Sequence, residues 1–313
     1  HEKEQIIKKS GILDYVQVNL DMKNNVGGLD NLKMWLKQRS KSFERKAKDF
    51  GLQEPKGIML LGVPGCGKSL TAKCVATEWK QPLLRLDVGK VFQAEVGSSE
   101  NHIRRAIATA EAVAPCVLWI DEIENGLNVG GERDGGTNSR VFSTILTWMQ
   151  EKTKPVFVVA TANDISQLPP EFLRKGRFDE IFFVDLPTKE ERKEILRIHL
   201  TKNNQTGIHE LDGLADATQL FNGAEIEEAV KESMFLAYVD NPTNPVVNVR
   251  HLEIACSQII PLAKTMSEKI RGLRGWADDR ARRASRIANK ELLPEVQAGI
   301  KKTKREKDED TFG

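Results

Sequence analysis

Five short apolar runs punctuate an otherwise mixed chain: Gly57–Leu61, Pro82–Asp87, Cys116–Ile120, Pro155–Thr161 and Ile181–Val184. Most lack the alternation of a half-exposed strand, which is the pattern of strands buried on both faces of a parallel sheet. Between them lie segments with apolar residues at helical spacing. Leu70–Trp79 follows the first run, a segment capped by Ser98 or Ser99 carries Ile103, Ala106, Ile107 and Ala110, and Val141–Met149 precedes the fourth run. Upstream, Leu32, Met34, Trp35 and Leu36 predict one helix, and the basic stretch of about Arg39 to Phe50 predicts another with a solvated face. Residues 88–98 read as a loop. Strand–helix alternation up to Asp185 predicts a parallel sheet covered on both faces. From Pro187 the period becomes purely helical, over residues 190–200, 208–218, 223–239 and 249–260. A small all-α unit therefore follows the sheet. Residues 262–313 are helix-like and basic, ending in a charge run that reads as disordered.

Composition narrows the classes. A formal net charge of +2 marks neither a nucleic-acid protein nor a membrane-surface one. The four cysteines, Cys66, Cys74, Cys116 and Cys256, are scattered without metal-ligand spacing, as suits a reducing compartment. The five histidines are equally dispersed. No apolar run has transmembrane length and there is no signal peptide. The start at His1 suggests a fragment of something longer, or a tag remnant.

Chemistry concentrates at the strand ends. Gly62-Val63-Pro64-Gly65-Cys66-Gly67-Lys68-Ser69 follows the first strand and opens a helix. This is the G-x-x-x-x-G-K-[ST] phosphate loop in the setting that gives it meaning. Its glycines let backbone N–H groups turn around an anion at the positive end of a helix. Lys68 is expected on the β- and γ-phosphates and Ser69 on Mg²⁺. The run Cys116–Ile120 enters Asp121-Glu122 at the crevice end of a buried strand. Asp121 is expected to hold Mg²⁺ through water, and Glu122 to take a proton from an attacking water. Asn163, closing the fourth strand, can orient that water, although Asn-Asp is also ordinary turn chemistry. Arg174 and Arg177, three apart at a helix end closed by Gly176, can project together.

These motifs together resemble the AAA ATPases, in the branch of the membrane-fusion and proteasomal ATPases. The resemblance covers about residues 24–262, and its most specific part is Asn163 through Asp179. It implies an α/β P-loop nucleoside-triphosphatase sheet with helices on both faces, followed by a small all-α lid. The expected divisions are a linker over residues 1–25, a nucleotide-binding domain over 26–186, a lid over 187–262 and a basic helical extension over 263–313. The resemblance also implies roles by position. Arg174 and Arg177 match arginine fingers acting on ATP bound to a neighbouring subunit, and Asn163 matches a first sensor. Val26, Gly27 and Gly28 match the adenine-pocket segment. Pro64, Gly65, Cys66, Gly67 and Leu70 belong to the phosphate-loop contacts. Gly223 and Ala224 match the start of the lid helix lying against the nucleotide. Val26–Lys33, Thr147–Lys152 and Leu273–Ala277 are similar to AAA proteins catalogued as a hypothetical reading frame in cyanobacteria and algal plastids. That similarity extends over nearly the whole chain and implies a location in the cytoplasm or plastid stroma. One departure is Glu95, at the place where threading members carry an aromatic residue that grips peptide. It puts translocation of a polypeptide in doubt but not hydrolysis.

The resulting expectation is an ATP hydrolase using Mg²⁺, assembled with copies of itself into a ring, a hexamer, and remodelling an unidentified protein partner. One alternative is an ATP-gated binding module with slow turnover. A nucleic-acid loader rests only on the basic segments Arg280–Arg286 and Lys301–Arg305. Smaller features receive plain readings: Asp87 as a turn carboxylate, Trp276 as packing of the tail helix on the lid, and Cys66 as a tolerant position.

Overall fold

The computed structural model describes residues 7, 11–92, 98–126, 135–166, 168–174 and 176–293. Its centre is a seven-stranded sheet of β1 (Leu13–Val16), β2 (Gly57–Gly62), β3 (Leu83–Leu86), β4 (Cys116–Ile120), β5 (Val156–Ala162), β6 (Glu180–Val184) and β7 (Arg282–Arg283). The spatial order is β1-β3-β4-β5-β2-β6-β7, parallel throughout except for β1. The helices in chain order are α1 (Met22–Asn25), α2 (Asp30–Ser40), α3 (Arg45–Asp49), α4 (Lys68–Glu78), α5 (Val88–Phe92), α6 (Ser98–Val113) and α7 (Gly135–Glu151). They continue with α8 (Lys189–Lys202), α9 (Asp212–Ala217), α10 (Gly223–Asp240), α11 (Val249–Gln258), α12 (Leu262–Thr265) and α13 (Ser267–Arg280). No helix among the described residues is long and apolar enough to cross a membrane.

The apolar strand runs serve two layers at once. Ile58 and Leu60 face one side with Trp35 of α2, Val75 of α4 and the rings of Phe157 and Phe182. Met59 and Leu61 face the other with Ile103 of α6 and Phe142 of α7. The lid has its own core, including Leu196, Leu214, Ile226 and Leu252 from four separate helices. Its first helix begins with a capping box, Thr188 with Glu191, and α10 repeats the device with Asn222 and Glu225.

Several expectations need correction. Residues 13–16, expected within a linker, form the antiparallel edge strand beside β3, and residues 22–25 form a helical turn. Residues 88–92, expected as loop, are helical, and the basic stretch after α2 breaks into a 3₁₀ turn and the short α3. The helix expected over 208–218 covers only 212–217. Trp276 does not pack on the lid. With Leu273 and Ala277 it joins the core of the sheet domain.

The expected helical extension also ends early. Helix α13 stops at Arg280, and residues 282–293 then run as a strap across the hinge between sheet and lid. The strap starts as β7, parallel to β6, with the Ala284 N–H donating to the Phe183 carbonyl. The Leu32 N–H in turn donates to the Ala284 carbonyl, and Asn31 Nδ2 donates to the carbonyls of Arg283 and Ser285. Farther on, Asn289 Nδ2 donates to the carbonyls of Leu186 and Pro187. Glu291 finally receives Arg192 Nη1 at 2.9 and 3.1 Å. Arg192 is only 1% exposed, and its other donors go to the carbonyls of Pro187 and Ala215. Two of the strap's arginines have partners within the chain: Arg282 lies over the Phe182 ring and Arg283 pairs with Asp278.

Removing Glu291 leaves a buried guanidinium without its counter-charge. Because Glu291 is itself 21% exposed, the expected loss lies below the usual range for a fully buried pair. Glu291→Ala is expected to cost about 2 kcal/mol in denaturant-monitored unfolding. A loss within ~0.5 kcal/mol, the level of an ordinary surface substitution, would show that the strap does not fasten the lid.

Candidate active site

The phosphate loop takes its shape from close backbone packing. Gly62 has φ 152°, and a side chain there would collide with the Val184 carbonyl oxygen. Gly65 and Gly67 are left-handed, with φ 75° and 86°. A Cβ on Gly65 would strike the Asn222 side chain, so the loop sits directly against the N-terminus of the lid helix α10. The Ala224 N–H donates to the Gly65 carbonyl at 3.1 Å, fastening the two.

Between them opens a cleft of about 300 Å³. It is lined by Pro64, Gly65, Cys66, Gly67, Lys68, Ser69 and Leu70 from the loop and α4, and by Gly223 and Ala224 from α10. Val26 and Gly27 also line it. Gly28 does not line it. Its N–H donates to Glu194 Oε2 at 2.7 Å, and a side chain there would collide with Glu191. The glycine instead lets the segment press onto helix α8, where the Leu29 N–H also meets Glu191. Sequence reading did not identify other wall residues, among them His199, Glu227, Asp185 and Ser285. Burial holds the His199 imidazole below its usual range. Burial also raises the Asp185 carboxyl, against the pull of the Arg274 guanidinium bonded to it at 2.9 Å.

Lys68 is 6% exposed, and its Nζ donates to the carbonyls of Gly62 (2.9 Å) and Val63 (2.7 Å). Desolvation lowers its pKa to about 8. An ammonium held this way gains most from an anion, the partner a phosphate would supply. Cys66, partly accessible in the loop, has its thiol pushed up to about 12 by desolvation and stays protonated.

The carboxylates at the end of β4 converge on the same place. Asp121 Oδ1 accepts from Ser69 Oγ at 2.8 Å and from Thr161 Oγ1 at 2.7 Å. Thr161 Oγ1 in turn accepts the Glu122 N–H at 2.8 Å. Glu122 has φ 46°, a left-handed backbone that a non-glycine residue adopts at a cost of roughly 1–3 kcal/mol. The consequence is an exposed carboxylate at the cleft, with Oε1 receiving Asn163 Nδ2 at 3.0 Å. Asn163 is anchored by its own N–H, which donates at 2.6 Å to Glu124 Oε1. Glu124 is 4% exposed and burial raises its carboxyl pKa. Ser69 and Asp121 offer the oxygen pair that Mg²⁺ uses beside a nucleotide. The described residues hold no cluster of three or more metal-ligating side chains, so phosphate and water would complete the shell.

Arg174 and Arg177 stand apart from this group. Neither lines the cleft. Arg174 follows the 3₁₀ turn Pro170–Leu173 and is exposed, while Arg177 is half-buried and donates to the Glu171 carbonyl. The expected helix end closed by glycine is instead a 3₁₀ turn that ends at Arg174 in extended backbone, and Gly176, with φ 99°, lies beyond it. Glu95 and residues 127–134 of the glycine-rich loop lie outside the described residues.

Residues 58–186 match the family profile of the "ATPase family associated with various cellular activities (AAA)". Over 294 residues the chain is 48% identical to an "Uncharacterized AAA domain-containing protein ycf46" of Pyropia yezoensis, covering 91% of this chain and 58% of that protein. A protein of the same name from Guillardia theta is 44% identical, covering 88% and 54%. The chain thus spans little more than half the length of these curated relatives. More distantly, a "Cell division cycle protein 48 homolog" of Archaeoglobus fulgidus is 33% identical over 219 residues, covering 68% of this chain and 30% of that protein.

The depressed Lys68 value makes a pH prediction. Above pH 8 the folded chain gives up this proton, while the unfolded chain keeps it to about 10.5. The charge penalty is therefore complete below pH 8 and fades across that window. Without nucleotide, the stability difference between Lys68→Met and the parent chain is expected to shift in the parent's favour from pH 8 to 10.5. Denaturant titrations at a series of pH values measure it, and a flat difference would show that burial does not shift Lys68.

Proposed function

We propose that this chain, whose residues 58–186 form a domain of the AAA ATPase family, binds ATP with Mg²⁺ and hydrolyses it. The observation that carries the reading is the continuous set of hydrogen bonds Ser69–Asp121–Thr161–Glu122–Asn163 at one end of the cleft. It links the residue beside the phosphate loop to a carboxylate aimed where a water would attack. In this reading the loop N–H groups and Lys68 hold the phosphates, with Gly223 and Ala224 against the nucleotide and Val26 and Gly27 beside the base. Ser69 and Asp121 would hold Mg²⁺, which supplies charge neutralisation at the transferring phosphoryl group. Glu122 accepts the proton of the attacking water, and Asn163 keeps the carboxylate and that water in register.

Among the described residues, no arginine lines the cleft within one chain. Arg174 is exposed and outside its own cleft, which supports delivery of Arg174 or Arg177 to a neighbouring copy. A closed ring, a hexamer, satisfies such head-to-tail contacts for every copy. The work performed is remodelling of a protein partner, in the cytoplasm or plastid stroma. A nucleic-acid loader is less well supported, because Arg282 and Arg283 already have partners within the chain.

Glu122→Gln is expected to keep ATP affinity within about twofold while turnover falls on the order of 10²- to 10⁴-fold, measured by nucleotide binding and phosphate release. Unchanged turnover would remove Glu122 from the base role. Activity per protomer is expected to rise with chain concentration. Arg174→Ala should lower the plateau by up to ~10³-fold, the lower end of an arginine finger's effect. Activity that stays flat from monomer to oligomer would exclude a finger in trans.

A further inference from the structure

Glu122 is held by a second amide that no motif assigns. Asn125 Nδ2 donates to Glu122 Oε2 at 2.7 Å, while Asn163 Nδ2 occupies Oε1 at 3.0 Å. A carboxylate only accepts, so each amide must present its NH₂ group to it. The two donors reach it from different strand ends, Asn163 from β5 and Asn125 from the 3₁₀ turn Ile123–Gly126 after β4. Asn125 is also fixed through its backbone, its N–H donating to the Glu122 carbonyl at 2.9 Å. Glu122 is fixed likewise through Thr161 and its left-handed φ. Yet the Asn125 side chain is exposed, so packing does not require an amide there.

We infer that Asn125 is a positioning residue for hydrolysis, sharing the Glu122 carboxylate with Asn163 so that its plane and direction are set from both oxygens. This rests on the hydrolase reading above. One amide leaves a carboxylate free to swing about a single bonded oxygen. Two amides on opposite oxygens fix its rotation and leave one lone pair of each oxygen for the attacking water. The requirement is for a short neutral donor. A serine hydroxyl stops short of the carboxylate, and a lysine would cancel the charge that makes the carboxylate a base. Aspartate has the same shape but offers acceptors, and would push Glu122 away.

The test is a set of variants of the full chain assayed for ATP affinity with a fluorescent ATP analogue and for steady-state turnover. Asn125→Ala is expected to leave affinity within about twofold and to lower kcat by on the order of 10- to 100-fold, the scale of a misaimed reacting group. Asn125→Asp should lose at least as much. In a Glu122→Gln background, Asn125→Ala should change the residual turnover no further, because its effect runs through that carboxylate. A merely structural role would lower affinity or act equally in both backgrounds. An unchanged or higher kcat in Asn125→Ala, with Glu122→Gln inactive, overturns the role of Asn125 and leaves the hydrolase reading intact. A parent chain that binds ATP without hydrolysing it, or a Glu122→Gln form as active as the parent, overturns both.

Discussion

One oxygen atom organises the site. Asp121 Oδ1 accepts the hydroxyls of Ser69 and Thr161, joining the first turn of α4 to the ends of two neighbouring strands. Hydrogen bonds to an ionised acceptor are shorter and stronger than neutral ones, so the junction is stiff. Its effects pass outward through Thr161, which takes the Glu122 N–H and sets the backbone from which that carboxylate departs. The sheet order makes the junction possible. β2 lies between β5 and β6, so the loop leaving β2 opens where neighbouring crossovers run to opposite sides, the crevice that parallel sheets keep for ligands.

The same region concentrates strain and desolvation. Glu122 adopts a backbone conformation that side chains avoid, Lys68 carries its charge where water is scarce, and Glu124 is buried with one oxygen unpartnered. The two-sided apolar core around Ile58, Met59, Leu60 and Leu61 is the rigid support that tolerates these costs. Such rigidity keeps polar groups aimed before a ligand arrives, which is the condition for electrostatic help at a reacting phosphate.

The sheet and the residues gathered at the cleft were legible because their chemistry leaves few substitutes. Strands buried on both faces must be continuously apolar, a backbone turned around phosphate needs glycine, and a carboxylate at such a strand's end has no packing reason to be there. Edge and hinge pieces were not legible. β1 spans four residues and includes the charged Asp14, so it lacks the signature of a buried strand. Gly28 looked like part of a pocket wall because its role depends on Glu191 and Glu194, far along the chain. The strap is the extreme case. β7 has two residues, too few for any periodicity, and the Arg192–Glu291 contact joins positions 99 apart. Asn125 was hidden differently, since Asn125-Gly126 looks like ordinary turn chemistry.

The strap also imposes an order in time. Residues 282–293 leave the ribosome after the sheet, the lid helices and the hinge that they bind. A nascent chain can build both bodies and still lack the segment that fastens Leu186, Pro187 and Arg192 in place. Ser285, part of the cleft wall, arrives with it. Until then the two parts meet at the cleft through contacts such as Ala224 with Gly65 and Gly28 with Glu194, and the piece of wall that Ser285 supplies is still to come.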